Sequence, residues 1–401
     1  MADTTPTPAI DTSHDVAEQP PPIATFEAMG LSDPLLRGIY ANGFDRPSAI
    51  QSRAIMPIIA GGDVLAQAQS GTGKTGAFTI SVLQSIDFQR RACQALILCP
   101  TRELAMQTHS VMSTIGAFMS DRGGSFCHCF VGGTRPEDDI RKLELGVQVA
   151  VGCPGRVASV IRQGYLRTSE LRVVVLDEAD VMLAQGFVEQ VLEIFKYLPK
   201  TIQIALFSAT LPEDVIKLSE KFMRKPTRIL VAAEKLTLAA IMQRYVAVED
   251  DCKLLTLGDL YDSVSISQSV IFCNTRETVT WLAKELNAMH HAVSYLHADM
   301  AKGDREKIMA TFKAGTTRVL ITTDVLARGI DVQHVNVVIN YDIPSNLENY
   351  LHRVGRSGRW GRQGIAITFV ASKDVPKMRE IEAHYKIQIS ELSEDFADHL
   401  Q

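Results

Sequence analysis

The chain has 401 residues, long enough for two or three domains with their own cores. With 46% hydrophobic and 22% charged residues it has an ordinary globular composition, and a formal net charge of -5 argues against nucleic-acid binding through a broadly basic surface. Its longest apolar runs, such as "ALILC" and "LRVVVL", are strand-sized, which argues against a membrane span, and seven scattered cysteines fit a reducing compartment better than a disulfide framework.

Residues 1–21 are acidic and rich in Pro and Thr, lack the apolar core of a signal peptide, and are expected to form a disordered tail. From there, short β-branched runs alternate with helical stretches. The first half carries "DVLAQ" (63–67), "ALILCP" (95–100), "VQVAVGCP" (147–154), "RVVVLDEAD" (172–180) and "IQIALFSAT" (202–210). In the second half come "SVIFCNT" (269–275), "AVSYLHAD" (292–299), "RVLITTD" (318–324), "VNVVINYD" (335–342) and "GIAITFV" (364–370). Apolar runs of this length, each closed by polar or glycine-bearing turns, predict parallel sheets covered by helices on both faces, with functional residues at the strands' carboxyl ends. "EKLTLAAIM" reads as a linker at 233–242, giving an α/β chain with a first domain over 22–232 and a second over 243–401. Cys127, His128 and Cys129 lack a second ligand pair at zinc spacing and read as strand residues.

"AQSGTGKT", Ala68 to Thr75, follows "DVLAQ" and precedes the helical "GAFTISVLQ". This is the context of a P-loop: backbone N–H groups around Ser70, Gly71, Thr72 and Gly73 cradle phosphates, Lys74 reaches the β and γ oxygens, and the Thr75 hydroxyl suits Mg²⁺. A hydrolase of this type also needs a carboxylate at the end of a neighbouring strand. In "VVVLDEAD", Asp177 suits Mg²⁺ through water and Glu178 suits the attacking water, although an acidic helix start that complements the helix dipole has the same composition. Upstream, Phe44 and Gln51 of "GFDRPSAIQ" offer a ring to stack on a purine and an amide to bond adenine; alone, both also fit ordinary packing and surface roles.

"RVGRSGRWGRQG" repeats Arg-x-Gly from Arg353 to Gly364. Its glycines argue against an ordinary surface helix, and the following "GIAITFV" places it inside folded structure. Guanidinium groups combined with close backbone approach point to an anion.

Taken together, "GFDRPSAIQ", "AQSGTGKT", "PTRELA", the "GG" at 132–133, "DEAD", "SAT", "IFCNT", "TTDVLARGID" and "HRVGRSGR" resemble the motifs of the DEAD-box RNA helicases from Phe26 to the end of the chain, and most of all the initiation factor 4A subfamily. The resemblance implies two tandem RecA-like domains that close on ATP, Mg²⁺ and one RNA strand, giving an RNA-stimulated ATPase with local, non-processive unwinding. By the same resemblance, Arg356 and Arg359 are arginine fingers on the γ-phosphate, Asp331 approaches the ribose, and Ser208, Thr210 and His352 couple the domains. RNA would be held by its backbone at Pro100, Thr101, Arg102, Gly133, Pro154, Gly155 and Arg156 in the first domain, and at Arg276, Thr323 and Gly329 in the second. A role in translation initiation, a scaffold protein of initiation-factor type as partner, a monomeric state and a cytoplasmic location, with the nucleus as the alternative, are further expectations. The alternatives are an RNA clamp that nucleates a protein complex and a motor acting on DNA or protein. Arg353 and Arg362 fit surface or structural roles equally well. Cys153, Ala298 and Lys302 depart from the family pattern, which commonly has Thr, Gly and Gln there.

Overall fold

A computed structural model describes residues 19–68, 71–119, 126–184, 186–230, 241–263, 266–324, 335–357 and 364–392. Among the expected site residues, Ser70, Gly329, Asp331 and Arg359 lie outside the described residues, as do Arg362, residues 1–18 of the tail and residues 233–240 of the linker.

The first half contributes β1 (Val64–Gln67), β2 (Ala95–Leu98), β3 (Cys127–Phe130), β4 (Val149–Gly152), β5 (Val173–Leu176), β6 (Gln203–Ser208) and β7 (Thr227–Leu230). The second contributes β8 (Ile241–Ala247), β9 (Ser269–Cys273), β10 (Val293–Leu296), β11 (Val319–Thr323), β12 (Val337–Asn340), β13 (Gly364–Val370) and β14 (Ser390–Glu391). Among the described residues these form two parallel sheets, in the orders β3-β4-β2-β5-β6-β1-β7 and β10-β11-β9-β12-β13-β8-β14. Counted from the first strand of each sheet, the two orders are the same, so one architecture occurs twice in tandem. Ile241 and Met242, expected in the linker, are the first residues of β8.

Alternation along each strand explains why both faces are covered. Ala95, Ile97, Val173 and Val175 enter one core of the first sheet, while Leu96, Leu98, Val174 and Leu176 enter the core on its other face. The second sheet divides in the same way, with Ile271 and Ile339 on one face and Val270, Phe272 and Val338 on the other. Two-sided burial is what makes these strands near-continuous apolar runs.

Helices are launched by residues at the strands' carboxyl ends. Thr101 after β2 and Thr275 after β9 are N-caps whose Oγ1 atoms accept from Leu104 N at 3.2 Å and Thr278 N at 3.0 Å, with Glu103 and Glu277 in the first turns. Such a cap contributes about 1 kcal/mol. The helix Leu347–Val354 starts at Asn346, whose Oδ1 accepts from Asn349 N at 2.8 Å, and it includes Arg353. The Arg-x-Gly repeat therefore begins inside a helix, which its glycine content did not suggest. The reason is that its first glycine, Gly355, is already the C-cap.

Candidate functional site

The carboxyl end of β1 leads to Gly71, Thr72 and Gly73, and the helix Lys74–Ser85 begins there. Gly73 has φ 98° and lies so close to the preceding segment that a Cβ would stand 2.7 Å from Nε2 of Gln51. Gly76 is equally confined: its Cβ would stand 2.6 Å from the same atom and 3.1 Å from the Phe44 ring. Gln51 is 2% exposed, against the surface role open to it in the sequence. Its Nε2 donates to Gly73 O at 3.1 Å, and its Oε1 accepts from Ser48 N at 2.9 Å. The P-loop is thus braced by an upstream segment, Gly43 to Gln51.

A cleft of about 500 Å³ opens here, lined by Phe44, Gln51, Gly71, Thr72, Gly73, Lys74, Thr75, Asp177 and Glu178 of the first half and by Arg356 of the second. Leu104, Gln107 and Val111, spaced along one face of the helix Arg102–Ile115, complete a wall that the sequence reading missed. Their spacing is the available signal.

Electrostatics distinguish the carboxylates after β5. Asp177 is 2% exposed; burial pushes its carboxyl up to about 7, opposed by the Lys74 ammonium and reinforced by Glu178. Its Oδ1 accepts from Glu178 N at 3.0 Å, and Glu178 has φ 49°, a left-handed conformation uncommon outside glycine and found where surroundings impose it. Nζ of Lys74 and Oε2 of Glu178 are buried in the cleft without a hydrogen-bond partner among the described residues.

Asp180, missing from the expected residues, ties the next group together. Its backbone N donates to Ser208 Oγ at 3.2 Å, and its Oδ2 accepts from Thr210 N at 3.0 Å and Thr210 Oγ1 at 2.9 Å. Nε2 of His352, from the second half, lies 3.8 Å from the same oxygen, within ion-pair reach. Burial would push the Asp180 carboxyl up, but the His352 imidazole, the Lys74 ammonium and the Thr210 hydroxyl together hold it well below the usual carboxylate range.

Arg356 and Arg353, one turn apart, have different surroundings. Nε of Arg356 donates to His352 O at 3.0 Å and its guanidinium reaches the cleft. Arg353 is fully buried; it donates to Asp324 Oδ2 at 2.8 Å, to Asn274 Oδ1 at 2.7 Å and to Asp342 O at 2.7 Å, and lies over the Phe272 ring. Its role is structural.

The remaining expected residues gather at the ends of β2, β3, β4, β9 and β11. Pro100, Thr101 and Arg102 follow β2, Gly133 with φ 77° follows β3, and Pro154, Gly155 and Arg156 open the helix after β4. Arg276 opens the helix after β9, and Thr323 ends β11. Arg102 donates to Gly132 O at 2.6 Å and pairs with Glu306 of the second half at 2.7 Å; Glu103 pairs with Arg305 at 3.1 Å. Arg276 pairs with Asp299, and Arg156 with Asp139 at 2.7 Å. These arginines all have protein partners. Cys153 is an N-cap without a side-chain cap bond, and burial pushes its thiol up to about 12. The triplet Thr101-Arg102-Glu103 recurs as Thr275-Arg276-Glu277 at the corresponding strand of the second sheet, a repeat that the sequence reading did not use.

Two tandem parallel α/β units, with a P-loop on the first and an arginine of the second in the same cleft, define a two-domain P-loop nucleoside triphosphatase. Residues 48–218 match the DEAD/DEAH box helicase family, and residues 252–361 match the helicase conserved C-terminal domain. The chain is 61% identical over 379 residues to a probable eukaryotic initiation factor 4A of Trypanosoma cruzi, covering 94% of both chains. It is 55% identical over 377 residues to the ATP-dependent RNA helicase eIF4A of Neurospora crassa, again covering 94% of both. Among solved structures it is similar to S. cerevisiae Dbp5 bound to RNA and ADP BeF3, with a TM-score of 0.86, 34% identity, and coverage of 94% of this chain and 100% of that one. The chain belongs to the DEAD-box family of ATP-dependent RNA helicases, and its units are the tandem RecA-like domains of that family.

Proposed function

We propose that this protein is an RNA-stimulated ATPase whose two domains close on ATP and one RNA strand, unwinding short duplexes locally and non-processively, and that it acts in translation initiation. The observation that carries this reading is the composite cleft, in which Arg356 of the second domain meets Lys74, Asp177 and Glu178 of the first.

The residues present fit a nucleoside triphosphate with Mg²⁺. Lys74 Nζ is a buried cation without a hydrogen-bond partner among the described residues, and the close approach at Gly73 leaves backbone where phosphates would sit. Lys74 would hold the β and γ oxygens, with Ser70, Gly71, Thr72 and Gly73 around them. Thr75, and Asp177 through water, would hold Mg²⁺, which when bound supplies charge neutralisation at the phosphates. Glu178 would orient the attacking water through Oε2, and Arg356 and Arg359 would stabilise charge on the transferred group. Asp331 would meet the ribose. Each end of the Gln51 amide has one bond used within the protein, leaving one N–H and one lone pair for adenine N7 and N6, with Phe44 beside them. Ser208, Thr210 and His352 meet through Asp180, which suits coupling of domain contact to hydrolysis.

The face formed by Pro100, Thr101, Arg102, Gly133, Pro154, Gly155 and Arg156 with Arg276 and Thr323 would take the RNA backbone, largely through N–H groups at helix starts, so base sequence matters little; Gly329 is proposed as a further contact on the family resemblance alone. Such local binding suits a chain with net charge -5. The domains are taken as 22–232 and, on account of β8, from Ile241 onward. The relatives' names as initiation factors support action in translation initiation; cytoplasmic action, a stimulating scaffold protein and a chain monomeric on its own are parts of the same proposal.

The test is RNA affinity with and without a non-hydrolysable ATP analogue. Coupling of the two sites predicts tightening of roughly 5- to 150-fold, and equal affinities would contradict it. Duplex unwinding at multiple turnover then separates a helicase from a static clamp.

A further inference from the structure

Asp139 belongs to the helix Pro136–Leu145, whose first-turn neighbours Glu137 and Asp138 are exposed, yet it is itself 1% exposed. A carboxylate so placed needs partners on both oxygens. Oδ1 meets Nε2 of His128, on β3, at 2.8 Å; Oδ2 accepts from Nε of Arg156 at 2.8 Å and meets its terminal nitrogen at 2.7 Å. His128 is held in turn by edge-on packing against Phe130 at 4.8 Å between ring centroids.

Arg156 reaches onward. It donates to Thr134 O at 3.3 Å, while Arg102 donates to Gly132 O at 2.6 Å. Two guanidinium groups thus grip the carbonyls on either side of Gly133, in a loop where Gly132 and Gly133 are exposed. Arg156 also lies in the first turn of the helix Pro154–Arg162, beside exposed Gly155. One buried carboxylate therefore bears, through one arginine, on both the glycine loop and a helix start.

The geometry points to Asp139 as a positioning residue for RNA, seated by His128 and acting through Arg156. The guanidinium of Arg156 is directed at Asp139 and the Thr134 carbonyl, so its part in the RNA face is to align the N–H groups around Gly133 and Gly155 rather than to contact a phosphate through its side chain. This inference rests on the RNA site proposed above.

The test is ATP hydrolysis by the full chain as a function of single-stranded RNA concentration, with RNA affinity measured across a salt series. Asp139→Asn should raise the half-stimulating RNA concentration about tenfold, leaving hydrolysis without RNA and the KM for ATP within about twofold. Adding it to Arg156→Gln should cost nothing further, as expected when one residue acts through the other. Arg156→Gln supplies a readout that needs no change at Asp139. Loss of a phosphate contact on a single strand lowers the salt slope by about 0.7, whereas loss of a positioning residue leaves it unchanged. An unchanged half-stimulating concentration in Asp139→Asn, additive losses in the double variant, or a slope lowered by about 0.7 would each overturn the inference. Wild-type protein that RNA does not stimulate at all would overturn the proposed function instead.

Discussion

Oδ2 of Asp180 is shared between the two domains: it accepts from the N–H and hydroxyl of Thr210 in the first and lies 3.8 Å from Nε2 of His352 in the second. The side chain that fixes the SAT segment is thereby the one that meets the second domain. His352→Ala should leave ATP binding nearly intact and reduce RNA stimulation of hydrolysis by about 5- to 150-fold, the usual span of a coupling energy. Titration of ATPase rate against RNA for the variant and the wild type measures this. Equal stimulation would remove His352 from the coupling.

Arg356 and Arg353 predict opposite phenotypes. Arg356 reaches the cleft, so Arg356→Ala should spare the fold and ATP affinity while lowering kcat on the order of 10³-fold, as for arginine fingers generally. Single-turnover hydrolysis at saturating ATP and RNA checks it.

Arg353 is buried among Asp324, Asn274 and the Asp342 carbonyl. Removing one partner of a buried charge network is expensive, so Arg353→Ala should lose about 3–5 kcal/mol in denaturant unfolding of the second domain. A loss under about 1 kcal/mol would mean that the network is not structural.

Asp177 sets a pH dependence. Its folded carboxyl is raised by burial to about 7 from an ordinary 3.8, so between those values the folded protein binds more protons than the unfolded one. Its contribution therefore lowers the stability of the ligand-free protein as pH rises through that window. Asp177→Asn should flatten this slope and raise Tm at pH 8 while abolishing hydrolysis. Mg²⁺-dependent ATP binding should weaken on acidification below about pH 7, where the carboxyl is protonated and must give up its proton on binding; calorimetry in buffers of different ionisation enthalpy would detect the proton released.

The legible part of this molecule is what local pattern can carry. "ALIL" and "GIAITFV" are strands β2 and β13 because two-sided burial leaves an uninterrupted apolar run, and "AQSGTGKT" is recognisable because its chemistry lies within eight consecutive residues. What escaped was either long-range or locally disguised. Asp139 joins His128 and Arg156 across 11 and 17 residues, in a charged stretch that reads as ordinary surface. Asp180 gains its meaning only when Thr210 and His352 arrive from other strands and another domain. The helix ending at Val354 was obscured by glycines that begin only after it stops, and β14, two residues long, has no periodicity to read.

The most direct test of the central claim is steady-state ATP hydrolysis by the full chain with saturating single-stranded RNA, with a DNA strand of the same sequence, and with neither. A composite site completed by closure on RNA predicts clear stimulation by RNA and little by DNA, because 2′-hydroxyl contacts distinguish the two. A rate indifferent to RNA, or raised equally by DNA, would contradict it.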